Sequence, residues 1–289
     1  MRIGAVFPQI EIGPDPGAVK AFAQAAEQMG YTHLLAFDHV VGANRASRPG
    51  FDGPYDHESL FHEPLVLFGY LAGLTSRIEL TTGVIILPQR QAVLVAKQAA
   101  EVDVLSHGRL RLGIGIGWND VEYEALGENF KNRGRRSEEQ VELMQRLWTE
   151  PLVTFEGKYH KVTDAGLNPL PVQRPIPVWF GGQAEAVLDR VARLGQGWFP
   201  LGKPDERMGT KIERLREKTR AAGRDPAAVG IESWVAIGTK PEEEWAAQAR
   251  AWRDLGATHL SVYTVGGNRS SPDGHIQALE QFKRVTASL

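Results

Sequence analysis

Eight times along this chain a short apolar run is followed by a longer stretch of helical period, and no other feature restricts the fold as strongly. The runs are RIGAVFP, HLLAF, IELTTGVIIL, LRLGIGIG, IPVWFGG, GWFPL, VGIESWVAIG and HLSVYTV. They are mostly continuous rather than alternating, as expected of strands covered on both faces. Between them lie amphipathic stretches such as AVKAFAQAAEQMG, with Val19, Phe22, Ala26 and Met29 at helical spacing and Gly30 as a stop. Pro64 opens the next helix, Gly108 closes the one after, and Ser137 is a candidate cap for RRSEEQVELMQRLW. The last helix is expected over 275–289. Strands alternating with helices imply a parallel sheet with helical crossovers. Eight such steps within 289 residues match a closed (β/α)8 barrel, the TIM-barrel class of α/β fold, spanning 1–289 as a single domain. An open doubly wound sheet is the rival arrangement.

Two segments interrupt the alternation. Residues 40–61 form a long loop after the second strand. Residues 151–177 carry Pro151, Pro169, Pro171, Pro175 and Pro177 around VTFEGKYHKV, whose centre reads as a hairpin turned at Glu156–Gly157. Loops of this length in compact domains are commonly functional, so both are lid candidates, with ordinary insertions as the alternative.

Composition excludes several classes. The net charge is -2, without the clustered Lys/Arg footprint that nucleic acid requires. The densest basic stretch, KNRGRRSEE, is followed at once by acids and reads as a solvated helix start. There is no cysteine, hence no disulfide, thiolate nucleophile or Cys-ligated metal, which fits a cytoplasmic protein. The N-terminus lacks a secretory h-region, and no apolar run is long enough to span a membrane.

In a barrel of this kind the active site is built from the loops after the C-terminal strand ends. Those positions hold Gln9, Asp38–His39, Gly83–Val84, Gly115 to Trp118, Gly181 to Gln183, Pro200, Gly238 and Tyr263–Thr264. Asp38 and His39 follow directly on HLLAF, where polar groups would face a ligand. Histidine is the side chain most easily poised for proton transfer near neutral pH. The alternative is that Asp38 caps the following loop and His39 is a satisfied rim residue. Gly83 inside a strand suggests a bulge or the close approach of a ligand. GIGIGWND is G-x-G-x-G and lacks the context of a dinucleotide fingerprint, but its bare backbone at Gly117 could cradle an anion or lie flat against a ring. In WFGGQAEAV, Gly181 and Gly182 separate a strand from a helix start, a geometry that offers N–H groups to a phosphate. A metal site is disfavoured. His33, His39, His57, His62 and Glu63 show neither H-x-H nor H-E-x-x-H spacing, and His33 begins the second strand, at the barrel face opposite His39.

RIGAVFPQ, LLAFDHVVG, PIPVWFGG, RRSEEQVELMQRLW and above all the long block from EPLVLFGYLAGL to GIGIGWNDVEYEALG resemble the luciferase-like monooxygenase superfamily, in its coenzyme F420-dependent oxidoreductase branch. The resemblance covers most of the chain in order. It implies an eight-stranded barrel with insertions that binds a deazaflavin or flavin at the strand C-terminal ends. It implies a non-prolyl cis peptide in the third strand at Gly83–Val84, supporting the ring. It places Asp38 and His39 in the coenzyme site, His39 as acid/base, and Gly181 and Gly182 near the phosphate-bearing tail. One departure matters. The sugar-phosphate dehydrogenase members carry a catalytic Glu after the fourth-strand glycines, where this chain has Trp118. That argues against a glucose-6-phosphate-type activity and for an apolar substrate wall, with simple packing as the alternative. Lys203 falls where those members place a phosphate-binding lysine.

The expected function is therefore hydride transfer between F420 and a small organic substrate. An FMN-dependent monooxygenase and a non-catalytic flavin- or F420-binding protein are the alternatives, and a cation-dependent hydrolase comes last. Trp118 and Trp179, both at expected strand ends, should report a bound ring. Dimers are common in the superfamily, and EPLVLFGYLAGL and VLVAKQAAEVDVL could form such an interface or be used up in packing.

Overall fold

The computed structural model describes residues 1–269 and 271–287. In chain order the elements are β1 (Arg2–Val6), α1 (Gln9–Ile12), α2 (Pro16–Gln28), β2 (His33–Phe37), α3 (Pro64–Ala72), β3 (Glu79–Ile86), α4 (Ala92–Leu105), β4 (Leu110–Gly115), α5 (Asp120–Ala125), α6 (Arg133–Thr149), β5 (Val153–Glu156), β6 (Lys161–Ala165), β7 (Val178–Gly181), α7 (Glu185–Leu194), β8 (Gly197–Phe199), α8 (Glu206–Ala221), β9 (Gly230–Ala236), α9 (Glu242–Asp254), β10 (His259–Tyr263) and α10 (Asp273–Val285). The final helix is thus seen as Asp273–Val285, and expected positions 288 and 289 lie outside the described residues. Eight strands close into a parallel barrel in the order β1-β10-β9-β8-β7-β4-β3-β2, so the closed α/β barrel is the fold and the open sheet is not. β5 and β6 form a separate antiparallel hairpin.

Local chemistry accounts for the helix starts. The Asp15 carboxylate accepts the N–H groups of Gly17 and Ala18 ahead of α2, with Pro16 at its first position. Glu63 caps α3 through Val66 N–H, and Asp205 caps α8 through Met208 N–H. Such caps satisfy donors that the first helical turn leaves without partners. Ser137 is not a cap: α6 begins four residues earlier, at Arg133, and Ser137 is buried inside it.

The main core fills the ring between barrel and helices, with Phe22, Phe68, Trp148, Trp252 and Phe282 fully buried. A second cluster is contributed by strands from around the barrel: Val6, Leu35, Trp179 and Phe199, packed against the half-buried Phe37, Val84, Trp234 and Tyr263. A charged layer occupies the barrel's N-terminal end. Arg111 bonds Glu232 at 2.6 Å and Glu79 at 2.5 Å, and His33 Nε2 lies 2.8 Å from Glu232. Burial pushes the Glu232 carboxyl up, but Arg111 and His33 outweigh it and hold it far below the ordinary carboxylate range. His33 and His39 accordingly lie at opposite ends of the barrel, as their strand positions imply.

Candidate active site

Asp38 and His39 leave β2 at the C-terminal mouth, and the structure gives them different work. Asp38 turns inward. One carboxylate oxygen accepts from Arg90 Nη2 at 2.8 Å and the other from Ile86 N–H at 2.9 Å, with the side chain almost wholly buried. Burial pushes its carboxyl above the ordinary range, and Arg90 offsets this only in part. Both Asp38 oxygens are thus engaged in tying the end of β2 to that of β3, rather than offered to a ligand. His39 Nδ1 stands 2.6 Å from a carboxylate oxygen of Glu122, both side chains being buried. The same Glu122 oxygen accepts Val40 N–H at 2.7 Å, and its partner oxygen accepts Gln89 Nε2 at 3.1 Å. Burial raises the Glu122 carboxyl, but these hydrogen bonds and the imidazole together bring it below its usual value. An ionised Glu122 requires the proton on His39 Nδ1 and leaves Nε2 without one. That Nε2 is buried and has no hydrogen-bond partner.

Glu122 is the residue that sequence reasoning missed. The available signal was its place in NDVEYEALG, just after the fourth strand and on the same rim as His39. Its position follows from local structure. The Asn119 side chain caps α5 through Val121 N–H, and the Tyr123 hydroxyl donates to Ile116 carbonyl oxygen at 2.7 Å, folding α5 back on the exit of β4.

The third strand does bulge. Thr82 pairs with Ala36 and Val84 with Phe37, so Gly83 is extra, and the β3–β4 register also shifts between Thr81 and Ile85. The Gly83–Val84 peptide is not cis: the cis bonds among the described residues all precede proline, at Asn168–Pro169, Arg174–Pro175 and Ser271–Pro272. The neighbouring glycines make room for the bulge. A Cβ at Gly113 would meet Thr82 carbonyl oxygen at 2.1 Å, and one at Gly181 would meet Val84 Cγ1 at 2.5 Å. Gly117 has a φ of +65°, a conformation that favours glycine. Gly182 is engaged by its neighbour strand: its carbonyl accepts Trp198 Nε1 at 2.7 Å and its N–H reaches Phe199 carbonyl oxygen at 3.3 Å. Helix α7 then opens on Ala184, which has no side chain able to cap it.

The two insertions part company. The segment after β2 lies at the mouth: Tyr55 and Phe61 pack on the His39 ring at centroid distances of 5.8 and 5.1 Å. Its Phe51 meets Trp118, which is 49% exposed. The 151–177 segment lies on the flank instead. Glu139 of α6 accepts the N–H groups of Lys158, Tyr159 and His160 at the hairpin turn, and Gln173 bonds Asp103 and the Leu110 carbonyl at the start of β4. Trp179 is not at the rim. It is buried against Arg111, whose guanidinium lies 4.2 Å from its ring, whereas the half-buried Trp234 packs on Phe37 near the mouth. Lys203 is exposed.

A family model described as luciferase-like monooxygenase matches residues 3–284. The chain belongs to the luciferase-like monooxygenase family. Among its relatives, an FMNH(2)-dependent dimethylsulfone monooxygenase of Pseudomonas fluorescens is 29% identical over 280 residues, covering 94% of this chain and 72% of that one. The monooxygenase RslO1 of Streptomyces bottropensis superposes with a TM-score of 0.81 at 20% identity, over 100% of this chain and 99% of that one. The coenzyme F420-dependent tetrahydromethanopterin reductase of Methanopyrus kandleri gives 0.74 at 15% identity, over 99% and 98%. At such identities the two structures establish the shared barrel. Among the described residues of this luciferase-like barrel, no three His, Asp or Glu side chains converge as a metal ion would need, and no helix is long and apolar enough to cross a membrane.

Proposed function

We propose that this luciferase-like protein transfers a hydride between coenzyme F420 and a small organic substrate, with His39 exchanging the substrate's proton. The observation that carries the reading is the His39–Glu122 pair, which leaves Nε2 buried and unpartnered at the C-terminal mouth. The residues present fit a deazaflavin or flavin ring. The half-buried Phe37, Val84, Trp234 and Tyr263 offer an apolar platform, and Val84 is seated against the bare backbone of Gly181. Gly83 and Val84 would lie beneath the ring, Gly117 and Trp118 beside it, and the N-terminal turn of α7 after Gly181 and Gly182 would face the phosphate of the tail. Bound F420 would supply the hydride chemistry. The chain's own part is to hold the ring, keep water from it and move a proton at His39 Nε2. Asp38 contributes indirectly, by fixing the strand end that carries His39.

An FMN-dependent monooxygenase is the second reading, favoured by the likeness to the dimethylsulfone enzyme. Paired titrations of tryptophan fluorescence with F420 and with FMN separate the two. Trp118 and Trp234 are the expected reporters, since Trp179 lies too deep. Tight F420 binding with weak FMN binding is expected. Tight FMN binding with oxygen uptake by the reduced complex would replace the proposal with the monooxygenase.

A further inference from the structure

The nitrogen assigned to proton exchange is shut off from solvent in this conformation. His39 Nε2 is buried without a partner, and Tyr55 and Phe61 cover the ring, themselves packed edge to face at 4.7 Å. Both side chains belong to the segment after β2, and the fastening of that segment is uneven. Its two ends are held by protected bonds: Val40 N–H to Glu122, and His62 N–H to the buried Gln9 at 3.1 Å. Its crown is stapled to itself and, by a side-chain hydrogen bond between Tyr55 and Tyr263, to the end of β10. Arg45 Nε bonds Asp56 at 2.6 Å, and Arg45 Nη2 donates to Gly53 carbonyl oxygen at 2.6 Å. Across the mouth, toward the β4–α5 connection, the crown's fastenings are exposed ones. Arg48 meets Glu124 at 3.5 Å, a surface pair of the kind that contributes little in water. Trp118 lies against Phe51 and over Gly53, where a Cβ would come within 2.3 Å of the indole.

We propose that residues 43–61 form a flap, rigid in itself and fixed at both ends, with Trp118 as its latch. Release of Trp118 from Phe51 and Gly53 lifts Tyr55 and Phe61 from the imidazole and opens His39 Nε2 to the substrate. Trp118 thereby governs access to the site rather than forming only its wall. The proposal rests on the assignment of His39 as the exchanging residue, and its test reads the flap directly.

The full-length protein, without cofactor, is treated with diethylpyrocarbonate, and carbethoxylation of each histidine is followed by peptide mass spectrometry. The exposed His57 serves as reference, and His33, buried at the far end of the barrel, reports unfolding. In the wild type, His39 is expected to react severalfold more slowly than His57. In Trp118→Ala and in Phe51→Ala its rate should rise severalfold, with His57 unchanged and His33 still protected. A wild-type His39 as reactive as His57 overturns the flap, and so does an unchanged His39 rate in a variant that keeps His33 protected. Should Trp118→Ala lose the protection of His33, Phe51→Ala decides. If both variants free His39 while His39→Asn retains full turnover, the flap stands and the acid/base assignment falls.

Discussion

At the scale of single residues, the proposed function divides one task between His39 and Glu122. On that reading the imidazole handles the proton, and the carboxylate decides which nitrogen is available. His39→Asn should lower kcat by about 10²–10⁴-fold, the usual contribution of a positioned acid/base, with little change in cofactor binding. Glu122→Gln keeps an acceptor for Nδ1 but removes the charge, so a smaller fall in kcat is expected with the cofactor Kd unaltered. Steady-state kinetics together with a fluorescence titration check both, and an unaltered kcat in His39→Asn would remove it from the mechanism. Because the Glu122 carboxyl is held below its ordinary value of 4.5, its support for folding is complete above that value. It is lost only as the pH falls through the depressed one. Glu122 therefore stays ionised across neutral pH and does not shape the profile there.

At the scale of elements, the decisive piece is the β3 bulge and the bare strands beside it. Val84 reaches toward the mouth because Gly83 is an extra residue, and Gly113 and Gly181 yield the space. Gly113→Ala sets a methyl against the main-chain oxygen of Thr82, which cannot swing aside. Overpacking of this sort typically costs about 1–3 kcal/mol, so the urea midpoint should fall accordingly. A midpoint equal to wild type would mean that the strands part more readily than their geometry suggests. The same logic explains the G-x-G-x-G pattern of the fourth strand without any nucleotide: Gly113 clears Thr82, Gly115 clears Val84 and Gly117 clears Ile86.

At the scale of the molecule, the barrel is plugged at one end by charge and lined by aromatic rings above. Arg111 joins the two, bonding Glu79 and Glu232 while stacking on Trp179. Glu232→Ala would leave the buried Arg111 with Glu79 alone and take from His33 its carboxylate partner; breaking a buried pair costs about 3–5 kcal/mol, measurable as a loss of unfolding free energy. His259 belongs to this layer, edge-on to Trp179 at 5.0 Å. Burial, helped by the charge of Arg111, lowers its pKa from 6.5 to about 3. Between those values the unfolded chain binds a proton that the folded chain refuses. The contribution of His259 to stability is thus full above pH 6.5 and declines as the pH falls toward about 3. Urea melts across that window should show the decline in the wild type and a flatter curve in His259→Gln. Parallel curves would mean that His259 takes up its proton in the folded state.

The amino-acid sequence by itself determined the eightfold strand–helix alternation, and with it the barrel, because hydrophobic period is a local property that each segment carries alone. It also placed Asp38 and His39 on the C-terminal rim, since that follows from where HLLAF ends. Tertiary structure decided what those residues bond to. Whether a carboxylate faces a ligand or a guanidinium depends on what closure of the barrel brings beside it: Arg90 for Asp38, and Glu122 for His39, from segments far off in the chain. The depth of Trp179, the flank position of the 151–177 hairpin and the covering of His39 by Tyr55 and Phe61 were settled the same way. Each is a contact between remote segments, which no local pattern encodes.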